Sequence, residues 1–279
     1  MQHDFVKLKE HFDLHGWVLV KGLFSKAEIE KLRSEALESK KEIGNNLIDL
    51  LSDKRVNYII TDERIINLTK ALLATDNPVY FGDSSIGIGN LGQGFHKDNP
   101  DRHKPTGIDW DTVDYPCIRM AIYCQDHIKH SGALALRDKS HNQRNPTKGR
   151  AFFVPSEPGD VIVWSLRTTH SGNSMRLKLL PELVIDPRLY KFVPKFMFKN
   201  EEKLRVGLFM TFGKKAPLMQ RNLDYLKTRT YMIESWRNSQ TRQQQIDKLK
   251  SYNVDFIDLH EDAKKIDIAK TYEAHHDLD

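Results

Sequence analysis

The stretch GQGFHKDNPDR, residues 92–102, carries a histidine and an aspartate two positions apart, His96 and Asp98. Residues i and i+2 of an extended segment point to the same side, so this pair could meet one metal ion. Such pairs are cheap. The chain has 12 histidines, and His-x-Asp occurs at His11/Asp13, His96/Asp98, His260/Asp262 and His275/Asp277. The first lies in FVKLKEHFDLHGW, which reads as a surface amphipathic helix, and the last two lie in a polar C-terminal region. His96/Asp98 instead follows a glycine-rich, strand-like stretch in which Gly92 and Gly94 permit close backbone approach.

A mononuclear iron site of the two-His-one-carboxylate type needs one more ligand and leaves three coordination positions open. His170 is the candidate, in PGDVIVWSLRTTHSGN: a turn at Pro158 and Gly159, a strand, then a histidine at its far end before a Ser-Gly-Asn loop. A hydrogen-bonded core histidine reads equally well from position alone. Arg205 opens the apolar strand RVGLFMTFG. A guanidinium there suits a two-pronged clamp on a carboxylate, and the plainer reading is a surface arginine at a strand end. His-x-Asp with a distant histidine also suits a zinc or manganese hydrolase. A jelly-roll protein that binds a metal or ligand without catalysis is a further alternative.

The elements that must position these residues fall into three textures. Residues 1–77 read as helical, apart from a short strand in GWVLVKGLF. SKAEIEKLRSEALESKKEI opens with a capping box, Ser25 and Glu28. ERIINLTKALLAT places Ile65, Leu68, Leu72 and Leu73 on one side. From 78 to 213 short runs rich in Val, Ile, Phe and Tyr are punctuated by Gly, Pro, Asp and Asn: PVYFGDSSIGIG, CIRMAIYCQDH, GALALR, AFFVPS, GDVIVWSL and LRVGLFMTFG. No helices alternate with them, so a mainly β fold with flanking helices is expected, its core a jelly roll. Residues 214–279 turn polar and helical again, ending in a loose EAHHDLD tail. The whole reads as a single domain.

Composition narrows the function class. Over 279 residues, 43 Lys and Arg against 38 Asp and Glu give a net charge of +5. That is compatible with an anionic substrate, but the basic residues lack the concentrated, aromatic-interleaved stripe of a nucleic-acid binder. No apolar run approaches the length of a membrane span, and the N-terminus has no secretory pattern, so a cytoplasmic address is expected. Cys117 and Cys124 lie seven apart in an apolar stretch and read as buried free thiols.

Taken in order, GWVLVKGLFSKAEIEKLR, GFHKDN, IRMAIYCQDH, SGALALRDKSH, PGDVIVWSLRTTHSGN and RVGLFMTFG resemble the phytanoyl-CoA dioxygenase family of iron(II)/2-oxoglutarate oxygenases, over residues 16–213. The resemblance implies a double-stranded β-helix core, with His96, Asp98 and His170 as ligands to Fe(2+). It implies 2-oxoglutarate and O2 as co-substrates, with release of succinate and CO2 as an unactivated C–H is hydroxylated. Halogenating relatives lack the carboxylate, so Asp98 favours hydroxylation or a related desaturation or cyclisation. Arg205 becomes the clamp on the distal carboxylate of 2-oxoglutarate. Arg176 is its rival, because the family's arginine usually follows the distal histidine more closely; residues 176–204 are then an insertion bordering the site. Thr169, Asn173, Tyr123, Ser84 and Ser85 are softer candidates for holding the co-substrate, and Trp164 for walling the pocket. His141 corresponds to the histidine of the family's Gly-Ser-His, with Lys139 where glycine is usual. Positive charge from the HKDNPDRHK loop and from Arg119, Arg137 and Arg144 would suit a polar small molecule or saccharide, anionic in part.

Overall fold

The computed structural model describes residues 3–89 and 93–272. Gly92, the His275/Asp277 pair and the acidic tail lie outside the described residues. The chain divides into two compact units, one of Met1–Arg33, Gly87–Tyr115 and Arg119–Leu208, the other of Ser34–Ile86, Pro116–Ile118 and Phe209–Asp279.

The strands are β1 (Trp17–Val20), β2 (Pro78–Ile88), β3 (Cys117–Tyr123), β4 (Ala133–Arg137), β5 (Ala151–Phe153), β6 (Val161–Ser165), β7 (His170–Ser174), β8 (Val206–Lys214) and β9 (Asp255–Phe256). In the first unit one sheet runs in the order β1-β6-β3-β8 and the other in the order β5-β4-β7. This is the jelly-roll core expected from the alternation of short apolar runs and turns. Strand β6 is buried along its whole length, which is why VIVWS shows no polar alternation. It pairs antiparallel with β1 in the register Trp17↔Trp164, Val18↔Val163, Leu19↔Ile162 and Val20↔Val161. The turn feeding β6 needs Gly159: its φ is +109°, and a Cβ there would sit 2.3 Å from the carbonyl oxygen of Phe24.

One strand was not legible. His170 does not end β6 but begins β7, after a tight turn closed by Thr168 N donating to Ser165 O at 2.8 Å. HSGNS has no apolar alternation to announce a strand; it is held by pairing, His170 opposite Leu136 and Ser171 opposite Ala135 on β4. The helix α1 (Phe5–His15) precedes β1, and α2 (Lys26–Ile43) follows it. The capping box at the start of α2 is formed as expected, Glu28 N to Ser25 Oγ at 3.2 Å and Ser25 N to Glu28 Oε2 at 2.7 Å.

The second unit gathers α3 (Glu63–Leu73), α4 (Pro217–Leu226), α5 (Thr230–Asn238), α6 (Gln243–Ser251) and α7 (His260–Lys265) with strands in the order β3-β8-β2-β9. Helix α3 buries Ile65, Ile66, Leu68, Leu72 and Leu73. At ~1.5–3 kcal/mol per large aliphatic side chain this face contributes on the order of 10 kcal/mol, an upper bound against an extended chain. Strand β2 pairs parallel with β9, Val79↔Asp255 and Tyr80↔Phe256. Gly82, at φ +72°, lets Trp236 lie against the strand and donate from Nε1 to the carbonyls of Phe81 and Gly82 at 3.0 and 3.1 Å. Both cysteines are buried and neither forms a disulfide.

Candidate metal centre

His96, Asp98 and His170 come together in the first unit, each offering a ligand atom within 4.8 Å of the others. The backbone sets this up. His96 N donates to His170 O at 3.0 Å and His170 N to His96 O at 2.9 Å, so the HKD segment is stitched to β7 by a two-bond bridge. Asp98 N donates to Leu166 O at 2.8 Å. Alternation then sends Lys97 to the other side, where its buried Nζ donates to the carbonyls of Ser140 and Arg167 at 2.7 and 2.5 Å.

The hydrogen bonds fix which imidazole nitrogens face inward. His96 Nδ1 lies 2.8 Å from Gly94 O and His170 Nδ1 lies 3.0 Å from Thr168 O. A carbonyl oxygen only accepts, so each Nδ1 carries the proton and each Nε2 presents a lone pair. Those lone pairs face the same carboxylate, His96 Nε2 at 3.6 Å from Asp98 Oδ1 and His170 Nε2 at 3.5 Å from Asp98 Oδ2. Two imidazole nitrogens and a carboxylate oxygen aimed at one point form a donor set that a cation would hold together. The donor set therefore fits a divalent transition metal.

Electrostatics reinforce this. Burial pulls the His170 imidazole down to about 4, against the opposing pull of Asp98, so it is neutral and able to bind a metal at physiological pH. Burial alone would raise the Asp98 carboxyl; His170, His96, Arg119 and Arg102 outweigh it and hold it below the usual range. The Trp164 ring is fully buried and lies 5.3 Å from that of His170.

Arg205, immediately before β8, is buried. A Cβ built on Gly172, two residues beyond His170 on β7, would lie 4.0 Å from Arg205 Nη2. The guanidinium donates through Nε to Gly132 O at 3.2 Å and through Nη2 to Tyr123 Oη at 3.3 Å, lying over the Tyr123 ring. Asn173, in the left-handed region at φ 52°, packs with Arg205 around Gly132. Arg176 is equally buried but otherwise engaged: it donates to Pro181 O and His127 O at 3.0 and 3.1 Å and stacks on Phe153. Thr169 is buried at the turn before His170, its N–H on Ser140 Oγ and its carbonyl on Arg137 N.

The remaining candidates disperse. Ser84 donates to Asp49 in the second unit, where Ser85 also lies, beside Leu50 and Asp53. His11 stacks on His15 and Asp13 pairs with Lys9. His260 bonds Trp236 O through Nδ1, and Asp262 pairs with Lys265. His141 bonds Asp13 O and braces the N-terminal segment, preceded by Lys139 in the left-handed conformation that glycine adopts freely. Arg144 and Lys104 are exposed, and Arg137 lies over Phe95.

Sequence reasoning missed Gln125 and His127. They continue the β3 face of Tyr123 at i+2 and i+4, which alternation alone could have flagged. His127 is fully buried next to Arg205; burial, Arg205 and Arg176 push it down to about 3, so it is neutral. Gln125 Nε2 donates to His127 Nε2 at 2.9 Å, and Gln125 Oε1 accepts from Val206 N.

No protein-family model matches the chain, and no curated protein sequence matches it. Solved structures do. The non-heme alpha ketoglutarate dependent epimerase SnoN from nogalamycin biosynthesis superposes with a TM-score of 0.54 at 13% identity, over 75% of this chain and 81% of SnoN. AviO1 from Streptomyces viridochromogenes Tue57 gives 0.54 at 14%, over 77% of this chain and 97% of AviO1. EctD from S. alaskensis gives 0.52 at 14%, over 74% and 75%. At these identities the shared property is the fold.

Proposed function

We propose that the chain is an iron(II)/2-oxoglutarate-dependent dioxygenase that hydroxylates an unactivated C–H of a small molecule. One observation carries the reading: two imidazole nitrogens and a carboxylate converge on a point, and the buried guanidinium of Arg205 lies against Gly172, two residues beyond His170 on β7. A hydrolytic metal site has no use for that guanidinium. The fold neighbours agree in kind, since SnoN was crystallised with Fe3+ and alpha ketoglutarate and EctD with 2-oxoglutarate and 5-hydroxyectoine.

His96, Asp98 and His170 would hold the metal. Bound iron(II) supplies the chemistry that couples decarboxylation of 2-oxoglutarate, to succinate and CO2, with oxygen insertion into the C–H bond. The chain's own residues do the rest. The carbonyls of Gly94 and Thr168 keep both imidazoles in the tautomer that points Nε2 inward. Arg205 clamps the distal carboxylate of the co-substrate, and Tyr123 and Gly132 hold that guanidinium in place. Trp164 keeps water from one side of the centre. Arg119 and Arg102, whose charges reach Asp98, suit a substrate that is polar and partly anionic, a saccharide among them. Buried cysteines that form no disulfide suit a cytoplasmic address.

The test is turnover. With iron(II), 2-oxoglutarate and air, the purified chain should release succinate even without primary substrate, and the His170→Ala variant should not. Equal release by both would reject the reading.

A further inference from the structure

The segment after Arg176 does more than border the site. Its two ends are tied together, Lys178 N donating to Met197 O and Lys199 N to Arg176 O, both at 2.8 Å, with Leu177 opposite Phe198. Residues 179–196 are thus a closed loop with a narrow base. The loop has an inside: Pro187 and Phe198 are buried, Tyr190 rests on Phe198, and Tyr190 Oη accepts from Met175 N at 2.7 Å. Val184 also packs against the core around Ala133, Ala135 and Phe153, but six other large apolar side chains face water. Leu179 is 86% exposed, Phe192 74% and Phe196 75%, with Leu180, Leu183 and Leu189 about half exposed. Six of the fourteen exposed large apolar side chains among the described residues thereby fall within eighteen positions.

They are also grouped. Leu179 and Phe196 each lie two residues from the Leu177–Phe198 bridge. Leu180 and Leu183 share one turn, Leu183 N to Leu180 O at 3.0 Å. Leu189 and Phe192 are three apart on the 3-10 segment Pro187–Phe192, so they share a side. Exposed apolar clusters of this kind mark interaction sites.

Charge selects the occupant. Glu182 is paired with Arg176 and Asp186 with Arg188. Lys178, Lys191, Lys195 and Lys199 have no ion pair among the described residues, and Lys191 lies over the Phe192 ring. A second copy docking here would bring this uncompensated positive charge against itself. Leucines and phenylalanines ringed by lysines match the boundary of an anionic bilayer, where rings and aliphatic side chains sit below the headgroups and lysines among the phosphates. We propose that residues 179–196, whose Arg188 lies against Gly94 two residues before His96, dock the protein onto an anionic lipid surface. No described helix is long and apolar enough to cross a membrane, so this is attachment from one side. The proposal is independent of the reaction carried out at the centre.

The full chain is tested by co-sedimentation with vesicles of phosphatidylcholine alone and of phosphatidylcholine mixed with phosphatidylglycerol. Binding to the anionic vesicles is expected, weakened by added salt. Lys191→Gln with Lys195→Gln should lower partitioning on the order of 25-fold. Phe192→Ser and Phe196→Ser should each lower it on the order of 10-fold. All four side chains are exposed, so circular-dichroism melts should be unchanged, and succinate release in solution should persist. Three results would overturn the proposal: no binding of the parent chain to anionic vesicles, equal binding of parent and variants, or sedimentation-velocity self-association that the phenylalanine substitutions abolish while vesicle binding is absent.

Discussion

Replacing Arg205 with methionine keeps the length and apolar stem of the side chain and removes only the guanidinium. In the account above, that group meets the distal carboxylate of 2-oxoglutarate in a buried setting, 4.0 Å from a Cβ position on β7. Removing one partner of a buried ion pair costs about 3–5 kcal/mol, because the remaining charge is stranded. At 1.4 kcal/mol per decade this is a loss of ~10²–10³-fold in kcat/KM for 2-oxoglutarate. A 2-oxo acid without the distal carboxylate, such as 2-oxovalerate, has no charge to strand. The assay is therefore a ratio: succinate release from 2-oxoglutarate against butyrate release from 2-oxovalerate. Parent enzyme should favour the dicarboxylate by roughly the same ~10²–10³-fold, and Arg205→Met should bring the ratio near unity. Because both rates come from one preparation, partial misfolding cancels. Arg176→Met, whose guanidinium is spent on Pro181 O and His127 O, should leave the ratio intact. A preference that survives in Arg205→Met and collapses in Arg176→Met would refute the assignment.

Three further outcomes are expected. Asp98→Ala removes the anionic ligand and should weaken iron(II) binding at least ~100-fold, measured by competition with a chelator. Asp49, buried beneath Tyr80 and Ser84, has its carboxyl pushed up to about 6 from 3.8, chiefly by burial. The folded state thus holds this proton more tightly than the unfolded chain, so stability should fall by about 3 kcal/mol as pH rises from about 4 to about 6, then level off. Asp49→Asn should flatten that part of a urea-midpoint-against-pH profile, and an unchanged slope would contradict the assignment. Gly159→Ala places a Cβ against Phe24 O in a backbone region closed to L residues and should cost roughly 2 kcal/mol or more in urea melts.

Much of this was legible in the residues. The capping box of α2, the buried stripe of α3 and the apolar runs of β3, β6 and β8 are local signals, and each formed where its pattern placed it. His96 and Asp98 were legible because a period of two is a local rule. What the sequence hid was long-range. HSGNS becomes β7 only because β4 and the HKD segment pair with it, and no alternation marks it. The choice between Arg205 and Arg176 depends on tertiary neighbours: the Arg176 guanidinium is spent on Pro181 O and His127 O, whereas that of Arg205 lies against Gly172 on β7. His127 reads as an ordinary strand-end histidine until tertiary packing buries it against two arginines. The loop after Arg176 looked like an insertion; its split into a packed inside and a wet apolar outside emerges from the ladder that closes its base.

The central claim, that His96, Asp98 and His170 together with Arg205 bind iron(II) and 2-oxoglutarate at once, is tested most directly by an anaerobic titration. Iron(II) and then 2-oxoglutarate are added to metal-free protein while the visible spectrum is followed. The account predicts a weak charge-transfer band that saturates with one equivalent of iron and is absent in His96→Ala and His170→Ala. A parent protein that binds iron(II) yet stays colourless on addition of 2-oxoglutarate would contradict it.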